Sequence, residues 1–199
     1  IVGNSGGDDT AGCDGGIIAG CVNFGKVRAS GAAGIVYQAR EGTGIRYCAN
    51  RSEVAATMVA VGLVGQIDWG GCYLESSYNA GRVTLTGEGG ETAVAYPIAG
   101  IVKYFMEQYP SYTVKKCYND NDVFPCDENN ALAGANINMI ECYSVETSVF
   151  ASGEPAYKMG SWYDLRWKQN IPEPYEEGKI PEDYPNITGT RVVSYITHY

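Results

Sequence analysis

Three carboxylates with aromatic neighbours could do chemistry: Asp68 beside Trp69, Glu75 near Tyr73 and Tyr78, and Asp164 between Trp162 and Trp167. Paired carboxylates suit glycoside hydrolysis, in which one protonates the leaving oxygen and the other attacks or activates water, while flanking rings stack on the sugar. Sequence does not measure the separation of any two of these acids, and Tyr and Trp also build cores and interfaces, so no catalytic residue is assigned. A denser acidic group, Asp120, Asp122, Asp127 and Glu128 with Asn119 and Asn121, lies in a loop bounded by Cys117 and Cys126. Its oxygens are of the kind that hold calcium, but their spacing is not that of a helix-flanked calcium loop. A solvated loop closed by a local disulfide is the simpler reading, and no metal or cofactor is expected. The one histidine, His198, is the next-to-last residue, so a Ser/His/Asp or Cys/His relay lacks a rigidly held imidazole.

Binding is the better use of the aromatic residues. The run Ser161-Trp162-Tyr163-Asp164-Leu165-Arg166-Trp167 supplies Trp162, Tyr163, Arg166 and Trp167, residue types that dominate binding hot spots because they offer large rigid area with a polar tip. The same run could instead cover an edge of the protein's own sheet, and both readings stay open. With 14 Lys and Arg against 23 Asp and Glu, the net charge is −9. Phosphate backbones and anionic lipid surfaces repel such a chain, so neither nucleic acid nor membrane insertion is expected, and no apolar run is long enough to span a bilayer. An extracellular protein or glycan is the expected partner.

Cys13, Cys21, Cys48, Cys72, Cys117, Cys126 and Cys142 are widely spaced, with no pair at the two-residue interval of a zinc knuckle. Such spacing suits a disulfide framework, each long loop contributing roughly 3–4 kcal/mol by restricting the unfolded chain. Two sequons, at Asn50 and Asn186, agree with a secreted glycoprotein. Ile1 reads as the start of a mature, processed chain. Seven is odd, so one thiol is either buried or links to a disulfide-bonded partner.

These residues need elements to hold them. Residues 1–16 read as a Gly/Asp-rich arm, and short apolar runs at 17–24, 32–38 and 45–48 read as strands. Over 51–67, Val54, Met58, Val61 and Gly65 recur at helical spacing, with Asn50 placed to cap the first turn. Residues 72–77 and 82–86 alternate around Asn79-Ala80-Gly81 and suggest a β-hairpin. Pro97 followed by Ile98, Ile101, Val102, Phe105 and Met106 suggests a second helix over 92–109, and 112–118 a strand. One long strand is expected over 136–149, an extended Pro/Tyr-rich surface segment over 152–190, and a last strand over 191–199. The expected fold is one α+β domain spanning 1–199: an antiparallel sheet with two helices packed on one face, in split βαβ, ferredoxin-like order.

The order strand, helix, strand, strand, helix, strand from Ile45 to Tyr118, with Cys48, Cys72 and Cys117 on or beside strands, resembles the secreted fungal killer toxins and related small effectors of α/β-sandwich fold. The resemblance implies a non-enzymatic toxin or effector that binds a cell-surface target or blocks a channel. An extracellular carbohydrate-active hydrolase and a disulfide-linked surface or assembly component are the alternatives.

Overall fold

Short apolar runs broken by left-handed corner residues set the architecture. The computed structural model describes residues 2–5, 16–40, 42–67, 72–87, 92–102, 112–127, 131–162, 165–169 and 184–186. Strand β1 (Val2–Ser5) precedes a first coil of β2 (Ile17–Ala19), β3 (Val22–Asn23), β4 (Val27–Ala33) and β5 (Val36–Ala39). The second coil is β6 (Gly44–Arg46), β7 (Ala49–Asn50), β8 (Val54–Val61) and β9 (Val64–Ile67). The third is β10 (Tyr73–Glu75), β11 (Tyr78–Asn79), β12 (Val83–Leu85), β13 (Val94–Tyr96) and β14 (Ala99–Val102). Strands β15 (Tyr112–Lys115) and β16 (Tyr118–Asp120), then β17 (Ile137–Ile140) and β18 (Tyr143–Val145), begin two further coils. Helices α1 (Thr147–Ala151) and α2 (Glu154–Lys158) follow, then the short strands β19 (Ser161–Trp162) and β20 (Leu165–Arg166).

Each strand pairs with its counterpart one coil away. The stacks run β1-β5-β9-β14, β2-β6-β10-β15-β17 and β3-β7-β11-β16-β18, and in the fourth β8 lies between β4 on one side and β12 and β13 on the other. All these ladders are parallel; among the described strands only β19 and β20 pair antiparallel. This is a parallel β-solenoid, in which no coil can bury its apolar face alone and stacking creates one continuous core. Ile18, Ile45, Leu74, Val114 and Met139 share one register and lie in or against that core.

The antiparallel sandwich is therefore overturned, and the resemblance to killer toxins falls with the element order that carried it. The expected helix over 51–67 is β8 and β9. Val54, Ala55 and Ala56, and again Val59, Ala60 and Val61, are all buried. A parallel strand covered on both faces reads as an unbroken apolar run, and its four-residue recurrences imitate a helix. The expected helix over 92–109 contains β13 and β14 instead, and 103–110 lie outside the described residues. The expected hairpin is not formed, because β10, β11 and β12 are successive sides of one coil, each bonded to the coil before it. The long strand over 136–149 breaks at Glu141, whose φ is 52°, and ends in α1. Within the segment expected to be extended, α2, the β19–β20 pair and a bridge between Lys168 and Asn186 form; the expected strand at 191–199 lies outside the described residues.

One corner repeats in every coil. Gly20, Tyr47, Ser76, Lys116 and Glu141 all have positive φ, between 48° and 66°. After each comes a small sulfur or hydroxyl residue (Cys21, Cys48, Ser77, Cys117, Cys142), then an outward residue (Val22, Ala49, Tyr78, Tyr118, Tyr143), then Asn23, Asn50, Asn79, Asn119 or Ser144. The carboxamides form a ladder. Asn23 Nδ2 donates to Asn50 Oδ1 at 2.8 Å, Asn50 Nδ2 to Asn79 Oδ1 at 2.9 Å, Asn79 Nδ2 to Asn119 Oδ1 at 3.2 Å and Asn119 Nδ2 to Ser144 Oγ at 2.8 Å. Remaining donors reach backbone carbonyls of Ser52, Gly81 and Phe124. A carboxamide has donors on one end and an acceptor on the other, so a stack of them saturates itself without water. Close approach at the ladder requires glycine at 62, where a methyl group would overlap Pro97 O and the Asn79 side chain.

Candidate functional site

The outer face of the β3–β7–β11–β16–β18 sheet carries rings, and the chain after β18 folds back across it. Tyr47, Ala49, Tyr78 and Tyr118 pack against Phe150 of α1, Ala156 of α2, Met159 and Trp167. Trp167 is 1 % exposed; its Nε1 donates to Ser76 O at 2.7 Å, and its ring meets that of Tyr78 edge-on at 5.0 Å. Tyr184 stacks on the other side of Tyr78, whose hydroxyl donates to Pro185 O. Of the two readings left open for this run, Trp167 takes the second and covers the protein's own sheet. Trp162 and Arg166 are placed by the backbone pairs Trp162↔Leu165 and Ser161↔Arg166, and Tyr163 lies outside the described residues.

At the last coil the cover ends and a cleft opens. About 330 Å³ in volume, it is lined by Lys116, Tyr118, Glu141, Tyr143 and Lys158. The rings of Tyr118 and Tyr143 lie 5.6 Å apart, tilted by 41°; Tyr118 is buried while Tyr143 is 48 % exposed. Lys116 and Glu141 are corner residues of adjacent coils, and their left-handed backbones carry both side chains to the cleft wall. Lys158 bonds Glu154 one helical turn away, so that pair is internally neutralised. Burial pushes the Tyr118 phenol up, with Glu154 and the neighbouring phenol of Tyr143 adding to it, and the hydroxyl stays protonated. The cleft thus offers an exposed ring face, an ammonium donor and a carboxylate acceptor. Sequence reasoning missed all five residues, although Lys116-Cys117-Tyr118-Asn119 and Glu141-Cys142-Tyr143-Ser144 are visible repeats of one tetrapeptide.

The other candidates are placed elsewhere. Glu75 lies 3.6 Å from the Arg46 guanidinium, which sits over the Tyr73 ring at 4.5 Å. Asp68, Trp69 and Asp164 fall outside the described residues. In the acidic loop, Asp120 is fully buried and structural: one carboxylate oxygen accepts from Asp122 N, the other from the Thr147 and Tyr184 hydroxyls. Asp122 accepts from Thr147 N at the start of α1. The local bridge expected between Cys117 and Cys126 is not formed. The free Cys117 thiol hydrogen-bonds with that of Cys142, whereas Cys126 Sγ sits 3.5 Å from Asn119 Nδ2. Cys72 donates to Arg40 O, and Cys13 is outside the described residues. Asn50 belongs to the ladder with its amide nitrogen buried and twice donated, so its sequon has no room for a glycan in this fold. Asn186 pairs through its backbone with Lys168.

Comparison with protein families, with characterised proteins and with solved structures finds no match to this chain.

Proposed function

We propose that the chain is a non-catalytic binding module, acting outside the cell, that holds a neutral, hydroxyl-rich saccharide against Tyr143 in the cleft of its last two coils. The observation that carries this reading is the half-exposed Tyr143 ring, backed by buried Tyr118 and flanked by Lys116 and Glu141. A sugar presents an apolar C–H face to an aromatic ring and hydroxyls that both donate and accept at its rim. Lys116 supplies the donor, Glu141 the acceptor, and the solenoid holds both without a loop that must order on binding. Preorganisation of that kind lowers the entropic cost of association. Of the three carboxylates that carried the hydrolase reading, Glu75 is engaged with a cation, and Asp68 and Asp164 lie outside the described residues.

Calorimetric titration with glucose-, xylose- and mannose-based oligosaccharides tests this reading. We expect saturable binding to one class, lost in Tyr143→Ala and weakened about tenfold in Glu141→Gln, with the sugar recovered intact. Binding that survives Tyr143→Ala, or hydrolysis of the bound glycan, contradicts it.

A further inference from the structure

The corner column places four of the seven cysteines in two pairs. Cys21 and Cys48 occupy the same position in successive coils, between the register pairs Ala19↔Arg46 and Val22↔Ala49. Cys117 and Cys142 do so between Lys115↔Ile140 and Tyr118↔Tyr143. All four thiols face the interior core. Ser77 holds the column's position in the coil between the pairs, so each cysteine has one thiol neighbour within the column. Parallel strands stand roughly 4.8 Å apart, inside the range of about 4.4–6.8 Å between Cα atoms that a disulfide spans, whereas Cys48 and Cys117 are two strand spacings apart and beyond it.

We propose that Cys21–Cys48 and Cys117–Cys142 are inter-coil disulfide sites, closed by exchange with a low-molecular-weight disulfide such as oxidised glutathione. In each pair one thiol is half-buried and the other fully buried, which assigns the roles. The outer thiolate, of Cys21 or Cys142, attacks the oxidant's S–S bond, forming a mixed disulfide and releasing one thiolate. The inner thiol, of Cys48 or Cys117, gives its proton to that leaving thiolate and attacks the outer sulfur, expelling the second. Two protein thiols are oxidised and one small disulfide is reduced to two thiols, with no other reactant. The local chemistry agrees: the hydrogen bond from Cys48 lowers the Cys21 thiol to about 6, and the hydrogen bond from Cys117 holds the Cys142 thiol below its ordinary value. The bond given to Cys21 and burial push Cys48 up, as burial above all does Cys117. The proposal does not depend on the cleft reading, since neither pair needs a bound ligand.

Reduced, folded chain is incubated with oxidised glutathione, quenched by alkylation and analysed by mass spectrometry after cleavage with two proteases. The expected result is a loss of about 4 Da, two hydrogens per bridge, with peptides linked Cys21–Cys48 and Cys117–Cys142. Cys48→Ser and Cys142→Ser should each remove one link only; Cys48→Ser should also leave Cys21 as a stable glutathione adduct. Links that join Cys117 to Cys126, or thiols that stay open in the folded chain and oxidise only after urea is added, overturn the proposal.

Discussion

The two faces of the β3–β7–β11–β16–β18 sheet reverse the usual distribution of polarity. Its inner face carries Asn23, Asn50, Asn79 and Asn119, while its outer face carries Tyr78, Tyr118 and Tyr143. The asparagines are stable inside because each is the hydrogen-bond partner of the next. The tyrosines need a cover, and the chain after β18 supplies one over Tyr78 and Tyr118 but leaves Tyr143 half open. Polar residues can therefore define the interior when a repeat aligns like with like. Apolar ones on the outside mark where chain or ligand must lie.

That contrast can be broken from either side. The largest effect is expected from Trp167→Ala, which empties a fully buried site on the outer face and should cost about 4 kcal/mol in urea unfolding. On the inner face, Asn79→Ala orphans groups at Asn119 and Gly81, and about 3 kcal/mol should be lost. Asn79→Leu, which keeps the branching and the heavy-atom count, should be no milder, because hydrogen bonds and not apolar contact are what the ladder supplies. Tyr78→Phe keeps the ring and loses only the bond to Pro185 O, so about 1 kcal/mol is expected. An Asn79→Leu chain as stable as Tyr78→Phe would show that the two faces do not differ in kind.

On the outer face, alkaline pH acts through the phenols. Burial, and then the Asp120 carboxylate, push the Tyr184 phenol up to about 12, and burial raises Tyr78 and Tyr118 as well. These groups are ordinary near 10 when unfolded, so their contribution is complete below about pH 10 and is lost as pH rises through the folded values. Stability should fall from about pH 10 to 12, with phenolate absorbance rising in step with unfolding. Smooth titration of every tyrosine near 10 in a folded chain would contradict the cover.

Much of this was present in the sequence but not at the level where it was sought. The runs at 17–24, 32–38, 45–48 and 112–118 do carry strands, as their β-branched and aromatic residues suggest, but each is interrupted: β2 gives way to β3, β4 to β5, β6 ends at Arg46 and β15 gives way to β16. Strand β8 was hidden because both of its faces are buried, which removes the alternation that identifies a strand. The tetrapeptides ending Cys21-Val22-Asn23, Cys48-Ala49-Asn50, Cys117-Tyr118-Asn119 and Cys142-Tyr143-Ser144 spell the coil, yet unequal insertions between them mask the period. Asn50 illustrates the loss: a cap and a glycan acceptor are both reasonable uses of one asparagine, and its ladder role exists only beside Asn23 and Asn79. The cleft was illegible for the same reason, since Lys116 and Glu141 become neighbours only when coils stack.

The carboxamide ladder is the feature that no antiparallel or helical arrangement of this chain reproduces, and side-chain amide NMR observes it directly. The carboxamide protons of Asn50 and Asn79 should exchange slowly with solvent, with nuclear Overhauser contacts linking Asn23 to Asn50, Asn50 to Asn79 and Asn79 to Asn119. Carboxamides that exchange at free-solvent rates and show no contacts with one another would contradict the stacked parallel solenoid and everything placed upon it.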